Sequence, residues 1–475
     1  MLGITSIGIH VPVYRLERDV IAGAWQTRSL GGERAVAGHD EDSLTMAVNA
    51  AHNCLRRSKE KTQVNGLFFT STTSPYKEKQ TGATIAAALD LPSQSQTVDI
   101  TSSIRGATIA MNLAAGMVKS KAVNNVIVTA SDNRMGTPQS ELEQRFGDAA
   151  AAVMIGDSNP IVKILDSYSM FDEFFDSWRL EQDTFVRSWE ERFTIAEGYM
   201  RVLKQAVPEF LSKHSLTAKD FSKLVLSGPD PRTQASLAKS LGFDAKTQLQ
   251  DPLFTSVGNT GTAAPLLMLG AALEKGKPGE KILIVNYGDG CDLFLLEVND
   301  TIGSFQDGQT MEKELARKIP ISYEKYLSWR DILPVGFPRR PEPEMRSMSS
   351  RWRERKRILG FYGGKCRECG EIQYPPQRVC VECGAKDNFD DCKFSHKRAN
   401  VLTYATDRLT PTKAPPAVIV FVEFEGGGRM ICELTDCDPE KVKIGMPVEM
   451  TFRRLQQFQE MNDYFWKARP LEISK

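Results

Sequence analysis

Along roughly the first 300 residues, short runs that are apolar throughout alternate with longer segments rich in small residues. Val126-Ile127-Val128 and Ile282-Leu283-Ile284-Val285 have the β-branched, uninterrupted character of strands covered on both faces. Between such runs, GATIAMNLAAGMVKS from Gly106 and GTAAPLLMLGAALEKG from Gly261 are predicted helices. Their Ala and Gly content lets neighbours approach closely, so both are expected at the centre of the molecule. This alternation predicts an α/β layered fold. The two segments also share an order of turn, Ala-rich helix, buried strand and polar loop, at an offset of 155 residues between Gly106 and Gly261. A solenoid repeats every 20–50 residues or so, and the longer offset predicts a duplicated βαβ-containing half instead.

From Ser304 to Arg357 the chain is more polar. SYEKYLSWRDIL is followed by PVGFPRRPEPE, where proline blocks helix continuation, so residues 334–343 read as a connector. The basic stretch at 351–357 has two readings, a contact for the phosphates of an anionic ligand such as coenzyme A or a solvated helix face. Residues 398–466 carry four short strand signals, VLTYAT, AVIVFVEFE, RMICELT and VEMTFRRL, separated by Pro- and Gly-rich turns. That spacing predicts a small barrel of the five-stranded OB type.

The 475 residues carry 60 Lys+Arg and 60 Asp+Glu, and 41% are hydrophobic, ordinary values for a globular chain whose length predicts roughly two to four domains. Zero net charge supplies no electrostatic reason to expect nucleic acid. No stretch approaches the 18–20 or so apolar residues of a bilayer span, and the N-terminal MLGITSIGIHVPVYRLERD reads as a strand instead of an export signal. The expected location is the cytoplasm, with neither membrane nor nucleic acid as partner.

Nine cysteines change this picture, because seven of them lie between Cys366 and Cys437. Cys366-Arg-Glu-Cys369-Gly and Cys380-Val-Glu-Cys383-Gly are two C-x-x-C knuckles, each followed by a glycine that permits the turn. Four thiolates at this spacing can close a tetrahedral Zn²⁺ site with no position left for water or substrate, so a structural zinc is expected. A redox C-x-x-C, the competing reading, would be single and would sit beside a strand at a helix start. Cys392, Cys432 and Cys437 are read as core thiols.

GHDEDSLTMAVNAA (38–51), FFTSTTSPY (68–76), VDITSSIRGATIAM (98–111), GDAAAAVMIG (147–156), SVGNTGTAAPLL (256–267) and NYGDG (286–290) occur in the order of motifs in the thiolase superfamily. The chain resembles its archaeal-type hydroxymethylglutaryl-CoA synthases, near ketoacyl synthase III, over about residues 1–335. The C-terminal part resembles the zinc-ribbon and OB-fold proteins that accompany thiolases and thiolase-like aldolases. The resemblance implies a duplicated, five-layered αβαβα domain at 1–335, with halves of about 1–165 and 166–300 plus a C-terminal helix. A linker and basic helix at 336–357, a zinc ribbon at 358–397 and an OB-fold domain at 398–475 would follow. It also implies an acyl-CoA substrate, with coenzyme A as part of it, and a homodimer.

The catalytic positions depart from the family. Its nucleophilic cysteine falls five residues after the aspartate of the VD motif, where helix-terminal N–H groups lower the thiol pKa. Five residues after Asp99 this sequence has Ile104. The family histidine should lie in LVLSGPDPRTQ (224–234), which has none, and the base glutamate falls near Thr72. The five histidines, at 10, 39, 52, 214 and 396, lie elsewhere. Ser103 is adjacent to the lost position, but no base is evident to activate it. Asn259 alone matches a family active-site residue, an amide able to hold an oxyanion. Two readings follow. In one, the chain makes or breaks a C–C bond beside a CoA thioester without acylation, with Asn259, Tyr287, Asp289 and Cys291 as site residues. Against them stand a Gly-Asp-Gly turn for Asp289 and a small buried residue for Cys291. In the other, it is a non-catalytic acyl-CoA-binding or scaffold subunit supporting a second, active thiolase-like chain.

Overall fold

The computed structural model describes residues 1–58, 64–306, 310–336, 347–458 and 461–472, so most of the connector read at 334–343, and the first part of the linker read at 336–357, lie outside them. Contacts divide the chain into two units. The first comprises Met1–Ala37, Asp42–Ala83 and Leu91–Ala316, and the second Gly38–Glu41, Thr84–Asp90 and Arg317–Lys475. No helix among the described residues is long and apolar enough to cross a membrane.

The first unit is built on a nine-stranded sheet of β1 (Gly3–His10), β2 (Val64–Ser71), β3 (Gln96–Thr101), β4 (Asn125–Asp132), β5 (Ala149–Gly156), β6 (Val162–Phe171), β7 (Lys223–Leu226), β8 (Lys281–Tyr287) and β9 (Gly290–Val298). Its spatial order is β7-β8-β9-β6-β1-β5-β4-β2-β3. The first half therefore reads third-second-fourth-fifth-first in chain order. With the parallel bridge of Leu224 to Leu249 counted as its third strand, the second half repeats that order and the same parallel and antiparallel pairings. The halves join where β1 and β6 pair, Gly3 opposite Lys163 and Ile4 opposite Val162.

Helices complete five layers. Helix α1 (Ser43–Arg57) covers β1, β4 and β5 on the outside of the first half. Helices α2 (Gly106–Lys119) and α5 (Ala264–Leu273) lie between the halves, α5 touching β1 and β5 on one side and β7 and β8 on the other. On the outside of the second half, α3 (Arg201–Lys213) packs on β9, and α4 (Pro231–Ser240) joins the same core through Leu237 and Ala238. Strand β8 divides its side chains between two cores. Ile282 and Ile284 enter the central one, while Leu283 and Val285 enter the one beneath α3 and α4. Burial on both faces is why its sequence is apolar without alternation. The small-residue helices are central for the expected reason: a Cβ on Gly270 would stand 3.3 Å from Ile9 Cγ2.

In the second unit a three-stranded ribbon, ordered β11-β10-β12, is formed by β10 (Tyr362–Cys366), β11 (Ile372–Gln373) and β12 (Phe389–Lys393). A five-stranded sheet follows, ordered β15-β14-β13-β16-β17, of β13 (Arg398–Asp407), β14 (Ala417–Phe424), β15 (Arg429–Glu433), β16 (Pro447–Phe458) and β17 (Met461–Pro470). The sequence signalled four of these strands and not β17. Its Asn462, Asp463, Lys467 and Arg469 are all buried, which breaks the apolar alternation by which a strand is recognised. Helix α6 (Tyr323–Trp329), grouped by sequence with the first domain, has its contacts in this unit: the Trp329 indole donates to Lys413 O at 2.8 Å. The basic stretch at 351–357 is partly committed within the unit, Arg351 to Asp463 at 2.9 Å, Lys356 to Asp391, and Arg355 over the Trp352 ring.

Candidate functional site

Two cavities in the first unit meet at the turn between β3 and α2. One, of about 540 Å³, is lined by residues that include Tyr199, Ser227–Pro229, Asn259 and Tyr287. The other, of about 1010 Å³, includes Thr72, Ser103, Phe174, Trp178 and Asp289. Ile104, Arg134, Asp176, Ser177 and Val186 line both. Ile104, the residue at the family's cysteine position, is thus at the junction, two residues ahead of α2. Beside it the Ser103 hydroxyl accepts the Arg105 N–H at 3.2 Å, a local cap of the helix start. None of the five histidines lines either cavity.

Asn259 is held by both ends of its amide. Its Nδ2 donates to Gly228 O at 3.3 Å and its Oδ1 accepts the Gly261 N–H at 3.0 Å, which leaves a second amide hydrogen for a ligand. Gly228 belongs to the segment where the family histidine was expected, between β7 and α4. Thr72, at the glutamate position, gives both its N–H (2.7 Å) and its hydroxyl (3.0 Å) to Asp132.

The structure separates the four predicted site residues. Asn259 and Tyr287 line the smaller cavity, Asp289 lines the larger, and Cys291 lines neither. Cys291 is fully buried in the core beneath α3, among Leu293 and Leu295, because β9 turns that face away from the site. Burial pushes its thiol up to about 12, so a reactive thiolate is not available there. Asp289 forms the tight turn between β8 and β9 with a left-handed φ of 48°, and its carbonyl accepts the Asp172 N–H at 3.1 Å. Burial, then the neighbouring Asp176, raises its carboxyl above the usual range.

Sequence reasoning missed three residues. The Tyr287 phenol stands beside the carboxyl of Asp176, a residue of the excursion between β6 and α3, and both line the smaller cavity. Burial raises the Asp176 carboxyl and, with Asp176 adding to it, holds the Tyr287 phenol far above its ordinary value. Tyr199 meets Tyr287 edge-on at 5.3 Å and donates to Ser227 O at 3.0 Å. It is carried by the π-helical turn Thr194–Met200 ahead of α3. Arg134 closes the junction. The π-turn, a form that recurs at functional sites, is the sort of signal that points to Tyr199, but it has no sequence signature. Asp176 and Arg134 lie in irregular loops that carry no periodic signal.

In the ribbon, Cys366, Cys369, Cys380 and Cys383 place their sulfurs within 4.8 Å of one another. Cys366 and Cys383 are 3.6 Å apart and Cys369 and Cys380 3.5 Å. Tetrahedral Zn–S bonds of about 2.3 Å require sulfurs about 3.8 Å apart, so the donor set fits Zn²⁺. Gly370 (φ 81°) and Gly384 (φ 74°) supply the left-handed turns after each knuckle. Cys392, Cys432 and Cys437 are outside this cluster.

Comparison with known proteins follows the same division. Residues 98–172 match the family model for 3-oxoacyl-[acyl-carrier-protein] synthase III, 353–389 that for the ChsH2 rubredoxin-like zinc ribbon, and 394–453 that for the ChsH2 C-terminal OB-fold domain. A crystal structure of HMG-CoA synthase complexed with CoA superposes with a TM-score of 0.63 at 20% identity, covering 69% of this chain and 89% of that one. The 3-oxoacyl-[acyl-carrier-protein] synthase III of Aquifex aeolicus gives 0.56 at 20% identity, covering 62% and 100%. The fold is that of a thiolase-like protein to which a zinc ribbon and an OB-type sheet are joined. Hydroxymethylglutaryl-CoA synthases are 33% identical in Aeropyrum pernix, over 70% of this chain and 95% of theirs, and 30% identical in Methanothermobacter thermautotrophicus, over 70% and 99%. The chain belongs to the hydroxymethylglutaryl-CoA synthase family.

Proposed function

We propose that the protein binds an acyl-CoA and makes or breaks the C–C bond next to the thioester without forming an acyl-enzyme. The observation that carries this reading is the Tyr287 phenol set beside the Asp176 carboxyl in a cavity whose family nucleophile position is Ile104. In the cleavage direction, a β-hydroxyacyl-CoA gives its hydroxyl proton to Tyr287 Oη as the phenol proton passes to Asp176. The oxygen lone pair forms the carbonyl, the Cα–Cβ bond breaks, and its electrons pass into the thioester enolate. The proton held by the pair then goes to the enolate carbon, so that atoms and charge balance. The free hydrogen of the Asn259 amide is suited to the enolate oxygen. A raised Asp176 pKa makes that carboxylate a stronger base than a solvated one. Zn²⁺ held by Cys366, Cys369, Cys380 and Cys383 supplies structure to the ribbon, its four thiolates leaving no open position.

The test is a panel of β-hydroxyacyl-CoAs, and of acyl-CoAs with aldehydes, followed by product analysis. Turnover that survives thiol alkylation but is lost in Tyr287→Phe supports the reading, whereas turnover accompanied by iodoacetamide-sensitive acylation overturns it. The second reading, a non-catalytic acyl-CoA-binding subunit, is favoured by the concurrent absence of the family cysteine, histidine and glutamate. It expects turnover only beside a second thiolase-like chain.

A further inference from the structure

Five arginines line the two cavities: Arg105, Arg134, Arg145, Arg179 and Arg187. Four are committed. Arg105 reaches Met170 O at 2.6 Å and Asp292 at 3.7 Å, and Arg145 reaches Glu141 and Glu191 at 2.5 and 2.6 Å. Arg187 pairs with Asp183 at 2.6 Å, and Arg179 donates to Thr72 O. Arg134 differs. It is 7% exposed, and among the described residues its guanidinium has no hydrogen-bond or ion-pair partner. It lies over the face of Phe146, 4.4 Å from the ring centroid.

Both acids nearest to it are occupied. Asp132 Oδ1 accepts the Ser71, Thr72 and Thr73 hydroxyls at 3.0–3.2 Å, and Oδ2 accepts the Thr262 N–H at 2.8 Å. Asp176 accepts the Ser177 N–H and stands beside the Tyr287 phenol. A buried cation without a partner is costly, and a chain that surrounds it with satisfied acids has left its planar fork for something else. The Phe146 ring under the guanidinium holds it in place at the cavity wall. Arg134 is also the one cation common to both cavities, beside the Ile104 junction.

We infer that Arg134 is an oxyanion-recognition residue, whose ligand sets an anionic oxygen against the guanidinium edge at the junction of the two cavities. This rests on the acyl-CoA reading above and adds a specific group to it. Two sources supply the same chemistry: a carboxylate carried by the acyl chain, or the enolate oxygen that develops on the thioester. Either would take the paired N–H donors of an arginine better than the point charge of a lysine.

The experiment titrates the full-length wild type, Arg134→Gln and Arg134→Lys calorimetrically with butyryl-CoA and succinyl-CoA, and follows α-proton exchange of butyryl-CoA in D₂O by NMR. If the source is a carboxylate, succinyl-CoA binds about tenfold or more tighter than butyryl-CoA, and Arg134→Gln abolishes the difference. If it is the enolate, the two bind alike, and Arg134→Gln slows exchange about tenfold or more while binding holds. In either case Arg134→Lys recovers part of the loss, and thermal melting shows the Gln variant at least as stable as wild type. Wild-type binding and exchange unchanged in Arg134→Gln overturn this inference and leave the acyl-CoA reading standing. Failure of both thioesters to bind the wild type overturns the two together.

Discussion

Gly288 and Ile104 are in such close register that a Cβ on Gly288 would stand 2.6 Å from Ile104 Cγ1. The turn after β8 therefore closes directly on the residue that occupies the family's nucleophile position. Gly288→Ala is expected to destabilise the protein by about 1–3 kcal/mol through overpacking. Ile104→Ala in the same chain, which removes the clashing Cγ1, should make the added methyl at residue 288 less costly, and a double-mutant cycle by urea denaturation measures the coupling.

The same position provides a test of the lost acylation chemistry. Ile104→Cys puts a thiol at the start of α2, lining both cavities, whereas Cys54 and Cys291 are fully buried with thiols pushed up to about 12. Iodoacetamide should label Cys at position 104 well before either native core thiol, as read by peptide mass spectrometry. No histidine lines the cavities, so the variant is expected to show no burst of thioester cleavage.

Proton transfer through Tyr287 should depend on the ionisation of Asp176. The active base is its carboxylate, so the rate should rise with pH through a value above the ordinary carboxyl pKa of about 3.9. Tyr287→Phe and Asp176→Asn should each lower kcat by about 10²–10⁴-fold. The stability effect has the opposite sign. A carboxyl whose pKa is raised by folding contributes stability below its unfolded value and loses it as pH rises through the folded one. Asp176→Asn should then be no less stable than wild type at pH 7 while losing activity, a combination that melting curves and kinetics together detect.

In the second unit, Lys467 is buried between Asp40 at 2.9 Å and Glu433 at 2.6 Å, and Arg453 is buried between Glu41 and Asp436. Burial pushes the Asp40 carboxyl upward, but the Lys467 ammonium outweighs it and holds the group well below the usual range. Lys467→Met leaves Asp40 buried without its counter-ion and should cost about 3–5 kcal/mol. Because the folded pKa of Asp40 is depressed, its contribution is full above about pH 4 and is lost as pH falls further. Denaturation curves between pH 7 and pH 3, compared in the wild type and Lys467→Met, read this directly.

Zinc removal should act on the ribbon. Cys366→Ser or Cys380→Ser is expected to lose the metal, and chelation of the wild type should abolish a melting transition of the second unit. Metal analysis of the purified protein, with and without the substitution, checks the first expectation, and calorimetry the second.

How much of this was legible beforehand differs by feature. The knuckles could be read residue by residue, because tetrahedral thiolate coordination constrains spacing within a few residues. Helix α5 and strands β4 and β8 were legible because burial on nearly all sides leaves a continuous apolar signature, and α2 was legible through the small residues it turns to the core, although its Leu113 is exposed. Strand β17 was hidden by Lys467 and Arg469, whose charges are neutralised only by partners distant in sequence. Among site residues, Asn259 and Tyr287 lie in recognisable motifs, whereas Asp176 and Arg134 acquire their meaning from what stands opposite them.

The sequence by itself determined the α/β duplication, the four-cysteine set and the absence of a cysteine at residue 104. Each follows from local periodicity or from residue identity at a fixed spacing. Only the tertiary structure decided that Cys291 turns into the core, that Tyr287 reaches Asp176, and that Arg134 is buried without a partner. Those facts depend on which strand face points where and on how loops far apart in the chain converge, and local patterning does not encode either.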